Sequence, residues 1–130
     1  MADRIKLLLI EDTLSLLDVY KTRFVTEGFD VLTATNGTTA IDLANKINPD
    51  LFIVDIMLPD MDGLQFIDTI KKLPAHKDAG FIVLTALEME EVKQKALALG
   101  VDAFLVKSQT SLEEIASTAL SVLKSKKPAQ

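Results

Sequence analysis

Charged residues stand where three apolar runs end. Leu51-Phe52-Ile53-Val54 ends in Asp55, Ile5-Lys6-Leu7-Leu8-Leu9-Ile10 ends in Glu11-Asp12, and Phe104-Leu105-Val106 ends in Lys107. A carboxylate closing a buried strand costs free energy unless something pairs with it. Three acids and a lysine at strand ends fit a site that holds a divalent cation and receives a phosphoryl group. A carboxylate is a weak nucleophile and its phosphoryl donor is also negative. A divalent ion neutralises both and templates an in-line attack. Mg²⁺ suits this task because it takes oxygen ligands, keeps several waters and needs only one or two carboxylates. Asp12 and Asp55 are the direct ligands, Glu11 acts through a water, and the backbone carbonyl of Met57 adds another oxygen. Lys107 offers a point charge to a phosphoryl oxygen, and Thr85, which follows Phe81-Ile82-Val83-Leu84, offers a hydroxyl. An aspartyl phosphate is prone to hydrolysis and suits a transient signal. Its charge would draw Lys107 and Thr85 inward and open space for Phe104, a switch between two packings.

The elements that must position these residues alternate along the chain. Strands are expected at 5–10, 29–34, 51–54, 81–84 and 102–106. Helices are expected from the apolar spacing at 14–27 (Leu16, Leu17, Tyr20, Phe24), after the turn Asn36-Gly37 (Ala40, Ile41, Ala44, Ile47), around Phe66 to Leu73, at 88–99 and at 111–125. Gly28, Asn48-Pro49 and Gly100 stop helices, and Thr110 or Ser111 caps the last one. Pro74 to Gly80 reads as a polar loop. Strict strand–helix alternation with short apolar strands builds an α/β fold: a parallel sheet buried between two helical layers. In such open sheets the site forms at the carboxyl ends of the strands, where Glu11, Asp12, Asp55, Thr85 and Lys107 all fall.

Composition narrows the classes. The 130 residues carry a formal net charge of −5, 48% hydrophobic residues, 5% aromatics, no cysteine and no tryptophan. The length suits one domain. The lack of cysteine excludes thiol catalysis and cysteine-bound metals. The acidic balance and scarce aromatics argue against direct nucleic-acid binding. No apolar run approaches the roughly 18 residues of a membrane helix, and no signal peptide is evident, so a cytoplasmic location is expected.

With Glu11-Asp12, Asp55 followed by Met57-Leu58-Pro59-Asp60-Met61-Asp62-Gly63, Thr85-Ala86 and Phe104-Leu105-Val106-Lys107, the chain resembles the receiver domain of two-component response regulators, from about Arg4 to the last helix. The resemblance implies a flavodoxin-like, doubly wound (βα)5 sandwich with strand order 2-1-3-4-5. It implies that Asp55 accepts phosphate from a histidine kinase or histidine phosphotransfer protein, with Mg²⁺ held by Glu11, Asp12 and Asp55. Thr85 and Phe104 become the switch pair, and Lys107 the phosphate-contacting lysine. The chain then acts as a signalling receiver and not as an enzyme on free substrates. The surface of helix 88–99, strand 102–106 and helix 111–125 becomes the face for a downstream protein or effector domain, in a monomer or a phosphorylation-dependent homodimer. Residues 1–125 form the single receiver domain, and 126–130 a tail or the start of a linker.

Three positions depart from the family pattern. Ser108 replaces the proline that usually follows the lysine, and a cis bond there would cost roughly 3–4 kcal/mol. Phe104 replaces the more common tyrosine. Met57 and Leu87 put two apolar side chains where the family controls access of hydrolytic water, which implies a longer-lived phosphoryl state. Several residues also have plainer readings. Thr85 caps the helix after it as readily as it bonds a phosphoryl group, Phe104 suits ordinary core, and Gly63 permits a turn. Asp60 and Asp62 fail as a calcium loop, because the sixth and twelfth positions are Gln65 and Lys71. His76, the only histidine, reads as a surface residue. Rival functions fit less well. A haloacid-dehalogenase-type enzyme needs an Asp where Met57 stands. A flavodoxin-like cofactor binder needs a phosphate loop where Glu11-Asp12-Thr13 stands. A receiver acting only as a docking module has no use for the complete acidic set.

Overall fold

The computed structural model describes residues 4–126. Five parallel strands, β1 (Lys6–Ile10), β2 (Asp30–Ala34), β3 (Leu51–Val54), β4 (Gly80–Thr85) and β5 (Ala103–Val106), form one sheet in the order β2-β1-β3-β4-β5. Five helices alternate with them: α1 (Leu14–Thr26), α2 (Gly37–Ile47), α3 (Gly63–Lys71), α4 (Glu90–Ala98) and α5 (Leu112–Lys126). This is the expected flavodoxin-like fold with the expected strand order.

The period-2 alternation of the strands sorts their side chains into two cores. Leu8, Ile10, Phe52, Val54, Phe81 and Val83 face α2, α3 and α4, where they meet Ala40, Phe66, Ile67, Ile70 and Ala96. Leu7, Leu9, Leu51, Ile53, Ile82 and Leu84 face α1 and α5, where they meet Tyr20, Phe24, Ile115 and Ala119. Burying each such large side chain contributes roughly 1.5–3 kcal/mol. Phe52 stacks on Phe81 across the β3–β4 pair, with ring centroids 4.6 Å apart.

Ladder register places the site. Ile10 pairs with Val54 and Val54 with Val83, so β1 and β3 end side by side while β4 runs two residues further, to Thr85. Thr85 pairs with Val106, which brings the end of β5 level with the end of β4. Gly28 (φ +95°) and Gly100 (φ +92°) take the left-handed conformation that ends α1 and α4. Ser111 and Glu114 bond each other's backbone N–H, both at 3.1 Å, and fix the start of α5.

Four local expectations need correction. Asn36-Gly37 is no separate turn: Asn36 is the N-cap of α2, its side chain accepting from Thr39 N–H at 2.8 Å, and Gly37 is the first helical residue. The stretch after Leu73 is not all loop, because Pro74–His76 forms a 3-10 turn and Gly80 already belongs to β4. The expected helix 88–99 begins only at Glu90, after extended Met89. The last helix runs to Lys126, one residue beyond the expected domain end, and residues 127–130 of the expected tail lie outside the described residues.

His76 is also corrected. It is 1% exposed, seated edge-on against Phe52 with ring centroids 6.0 Å apart, and its Nε2 lies 3.2 Å from Asn45 Oδ1. The 3-10 turn folds the ring into the seam below α2, and burial pushes its pKa down.

Candidate functional site

Glu11 and Asp55 follow directly after β1 and β3 and are almost fully buried, at 2% and 4% exposure. Asp12 lies beside them and is exposed. Oxygens of the three carboxylates lie within 4.8 Å of one another. Three like charges so close repel strongly unless a cation answers them. In this structure the answer is Lys107, the residue after β5. Its Nζ lies 2.6 Å from Glu11 Oε1 and 2.8 Å from Asp55 Oδ2. Burial works against the ammonium, but hydrogen bonds and charge from Asp55 and Glu11 outweigh it and raise the Lys107 pKa.

The second carboxylate oxygens are held by backbone. Glu11 Oε2 accepts from Thr13 N–H at 3.1 Å, and Asp55 Oδ1 accepts from Met57 N–H at 3.0 Å. The turn after Asp55 is tight. Ile56 O accepts from Gly63 N–H at 2.7 Å, and Met57 bridges to Asp62. A Cβ on Gly63 would sit 2.4 Å from Asp55 O, so only glycine lets α3 start this close to the acid. The Met57 side chain is exposed at 56%.

Thr85 is fully buried at the end of β4, and its hydroxyl accepts from Leu87 N–H at 3.2 Å. This bond holds the loop after β4 and stops short of α4, so Thr85 does not cap that helix. Phe104 is half-buried on the face of β5 toward α4, beside a groove lined by Met89, Lys93 and Gln109. Every peptide bond is trans among the described residues, including Lys107–Ser108. Lys107–Gln109 forms a 3-10 turn, and Gln109 reaches back to hydrogen-bond Glu88.

Two further residues make contacts that local pattern does not show. Tyr20 lies close enough for Lys107, Glu11 and Asp55 to act on its hydroxyl, whose pKa burial raises. Asp60 is tied to the N-terminus of α2 by three hydrogen bonds. Its partners lie more than twenty residues earlier, and no local pattern announces them.

Residues 7–119 match the family model of the response regulator receiver domain. The chain belongs to that family. This receiver domain is 32% identical over 119 residues to the "Probable transcriptional regulator ycf27" of Porphyridium aerugineum, an alignment covering 92% of the chain and 48% of that protein. The chain thus spans about half the length of this curated relative. Among solved structures, a CheY-like receiver domain protein from Methanospirillum hungatei superposes with a TM-score of 0.89 at 22% identity, covering 95% of this chain and 97% of that one. Chemotaxis protein CheY4 of Vibrio cholerae gives 0.86 at 28% identity, covering 92% and 99%. The receiver domain of Francisella response regulator 1452 gives 0.86 at 29%, covering 95% and 100%. Among the described residues no helix is long and apolar enough to cross a membrane.

Proposed function

We propose that this receiver domain takes a phosphoryl group from a phosphohistidine on a histidine kinase or histidine phosphotransfer protein, with Asp55 as acceptor and Mg²⁺ as cofactor. The observation that carries the reading is the lysine clamp: one ammonium pairs with the two buried members of three converging carboxylates, beside the exposed third. The donor set fits the ion. All the converging atoms are oxygens, which suit Mg²⁺ far better than zinc. Asp12 and Asp55 would hold it directly, Glu11 through water, and Met57 by its backbone carbonyl. When bound, Mg²⁺ neutralises charge on the acceptor and the incoming phosphoryl group.

An Asp55 oxygen attacks phosphorus as the nitrogen–phosphorus bond breaks, and the imidazole leaves with the electron pair. Lys107, already at 2.8 Å from Asp55, turns its charge to a phosphoryl oxygen. Thr85 gives up Leu87 N–H and donates its hydroxyl to the new group. Phe104 then moves against the space Thr85 vacates, and the surface of α4, β5 and α5 changes for a downstream protein or effector domain. The chain catalyses its own phosphorylation and dephosphorylation only. This receiver domain works in the cytoplasm, without direct nucleic-acid contact, as a monomer or a phosphorylation-dependent homodimer.

Intact mass after incubation with acetyl phosphate tests this reading. A gain of one phosphoryl group that requires Mg²⁺ and disappears in Asp55→Asn supports it. No gain under any condition, from acetyl phosphate or from a phosphorylated histidine partner, overturns it.

A further inference from the structure

The loop from Met57 to Asp62 carries the proposed carbonyl ligand, and its tip is held from outside. Its two ends are tied internally, by Leu58 N–H and Gly63 N–H on Ile56 O (3.1 and 2.7 Å) and by the Met57–Asp62 bridge. Leu58 and Met61 pack against the core, and the exposed tip at Asp60 is held by α2. The Asp60 carboxylate accepts from Gly37 N–H at 2.8 Å, Thr38 N–H at 2.9 Å and the Thr38 hydroxyl at 2.6 Å. Met61 packs where Gly37 lacks a Cβ, since a Cβ there would fall 2.5 Å from the thioether.

These bonds complete a division of labour at the start of α2. A helix leaves its first backbone N–H groups without partners. Asn36 serves Thr39 N–H, and Asp60 serves the two before it, with a charge that suits the positive end of the helix. The three bonds keep the Asp60 carboxyl at a pKa of about 2, so the tether is charged throughout the neutral range. α2 itself is anchored by Ala40 and Ala44, both fully buried against the sheet.

We infer that Asp60 is a positioning residue for the metal site: by pinning the tip of the loop to α2, it fixes the Met57 carbonyl for Mg²⁺ binding. The inference rests on the proposed function. Mg²⁺ demands near-ideal octahedral geometry at about 2.1 Å, so a ligand on a loosened loop binds it less well. Supporting residues behind metal ligands typically matter by about 10–100-fold in affinity, and Asp60, one loop removed from the ligand, belongs at the low end.

The test is an amide NMR titration of the unphosphorylated chain with MgCl2, for the parent, Asp60→Ala, Asp60→Asn and Thr38→Val, alongside thermal melts. Mg²⁺ affinity is expected to fall about tenfold in Asp60→Ala. A smaller loss is expected in Asp60→Asn, and the smallest in Thr38→Val, which removes only the hydroxyl arm. Labelling by acetyl phosphate should return to near the parental rate at saturating Mg²⁺, because no reacting group has been removed. Thr38→Val keeps both backbone arms and reports even if the alanine variant fails to fold. Folded variants that bind Mg²⁺ as tightly as the parent overturn this inference alone. A parent that binds no Mg²⁺ overturns the proposed function and this inference with it.

Discussion

Replacing Lys107 by methionine should destabilise the domain at neutral pH, in the absence of divalent ions, by about 3 kcal/mol. The lysine is the only cation within 4 Å of Glu11 or Asp55 among the described residues. Their side chains are 2% and 5% exposed. Removing one partner of a buried ion pair costs roughly 3–5 kcal/mol, because a buried charge is left unanswered. The low end applies here, since each carboxylate keeps a backbone N–H, from Thr13 or Met57, and water reaches the site past exposed Asp12. At about 4 °C per kcal/mol for a chain of this size, the melting temperature should drop by about 12 °C. The pH dependence has a definite sign. The folded pKa of Lys107 lies above its ordinary 10.5, so its contribution is complete below pH 10.5 and is lost as pH rises through the folded value. Calorimetry in EDTA at pH 7 measures the deficit, and added Mg²⁺ should narrow it by restoring a positive charge among the acids. A variant that melts within a degree or two of the parent in EDTA would refute the reasoning. The acids would then have to be solvated well enough not to need the lysine.

Burial holds the folded His76 pKa below its ordinary 6.5, so its share of stability is present above pH 6.5 and lost as pH falls below it. The urea midpoint should therefore decline from pH 7 toward about pH 5 in the parent and stay flatter in His76→Gln; equal slopes would contradict this. Gly63→Ala forces a methyl against the Asp55 carbonyl and Ile56 Cα, neither of which can swing away, so a loss of about 3 kcal/mol is expected, read by chemical denaturation. Met57→Asn and Leu87→Glu should each shorten the life of the aspartyl phosphate by giving hydrolytic water polar partners, and unchanged decay in a phosphate-release assay would count against that role.

Much of the architecture was legible because it rests on short-range pattern. Strand ends coincide with charges, helices stop at Gly28 and Gly100, and the even spacing of strands and helices permits few topologies. The acids and the lysine could be assigned to one end of the sheet because parallel strands share a direction. What stayed hidden depends on partners far away in the chain. His76 looks like a loop residue until the 3-10 turn carries it against Asn45 and Phe52. Asp60 looks like a turn residue until α2, twenty-three positions earlier, presents Gly37 N–H. Asn36-Gly37 carries the same residue types as a tight turn, and only the extended backbone of Asn36 distinguishes a helix cap. Glu88 and Met89 have ordinary helical character and fall in the expected helix 88–99, whereas Met89 is extended and α4 begins at Glu90.

The strand carrying the lysine differs from those carrying the acids. β3 and β4 are buried throughout, and β1 over all but its first residue, while every residue of the edge strand β5 is only half covered. Substitutions on β1, β3 or β4 must satisfy tight packing on both faces of the sheet, so drift there is restricted. On β5 one flank is open, and side chains can change size or polarity with little cost to the rest. Under the proposed function, descendants of such a chain acquire new listeners by altering β5 and its neighbours while the acids stay as they are. The fold keeps the strands that carry the acids under tight packing and leaves the strand that carries the lysine free to diversify.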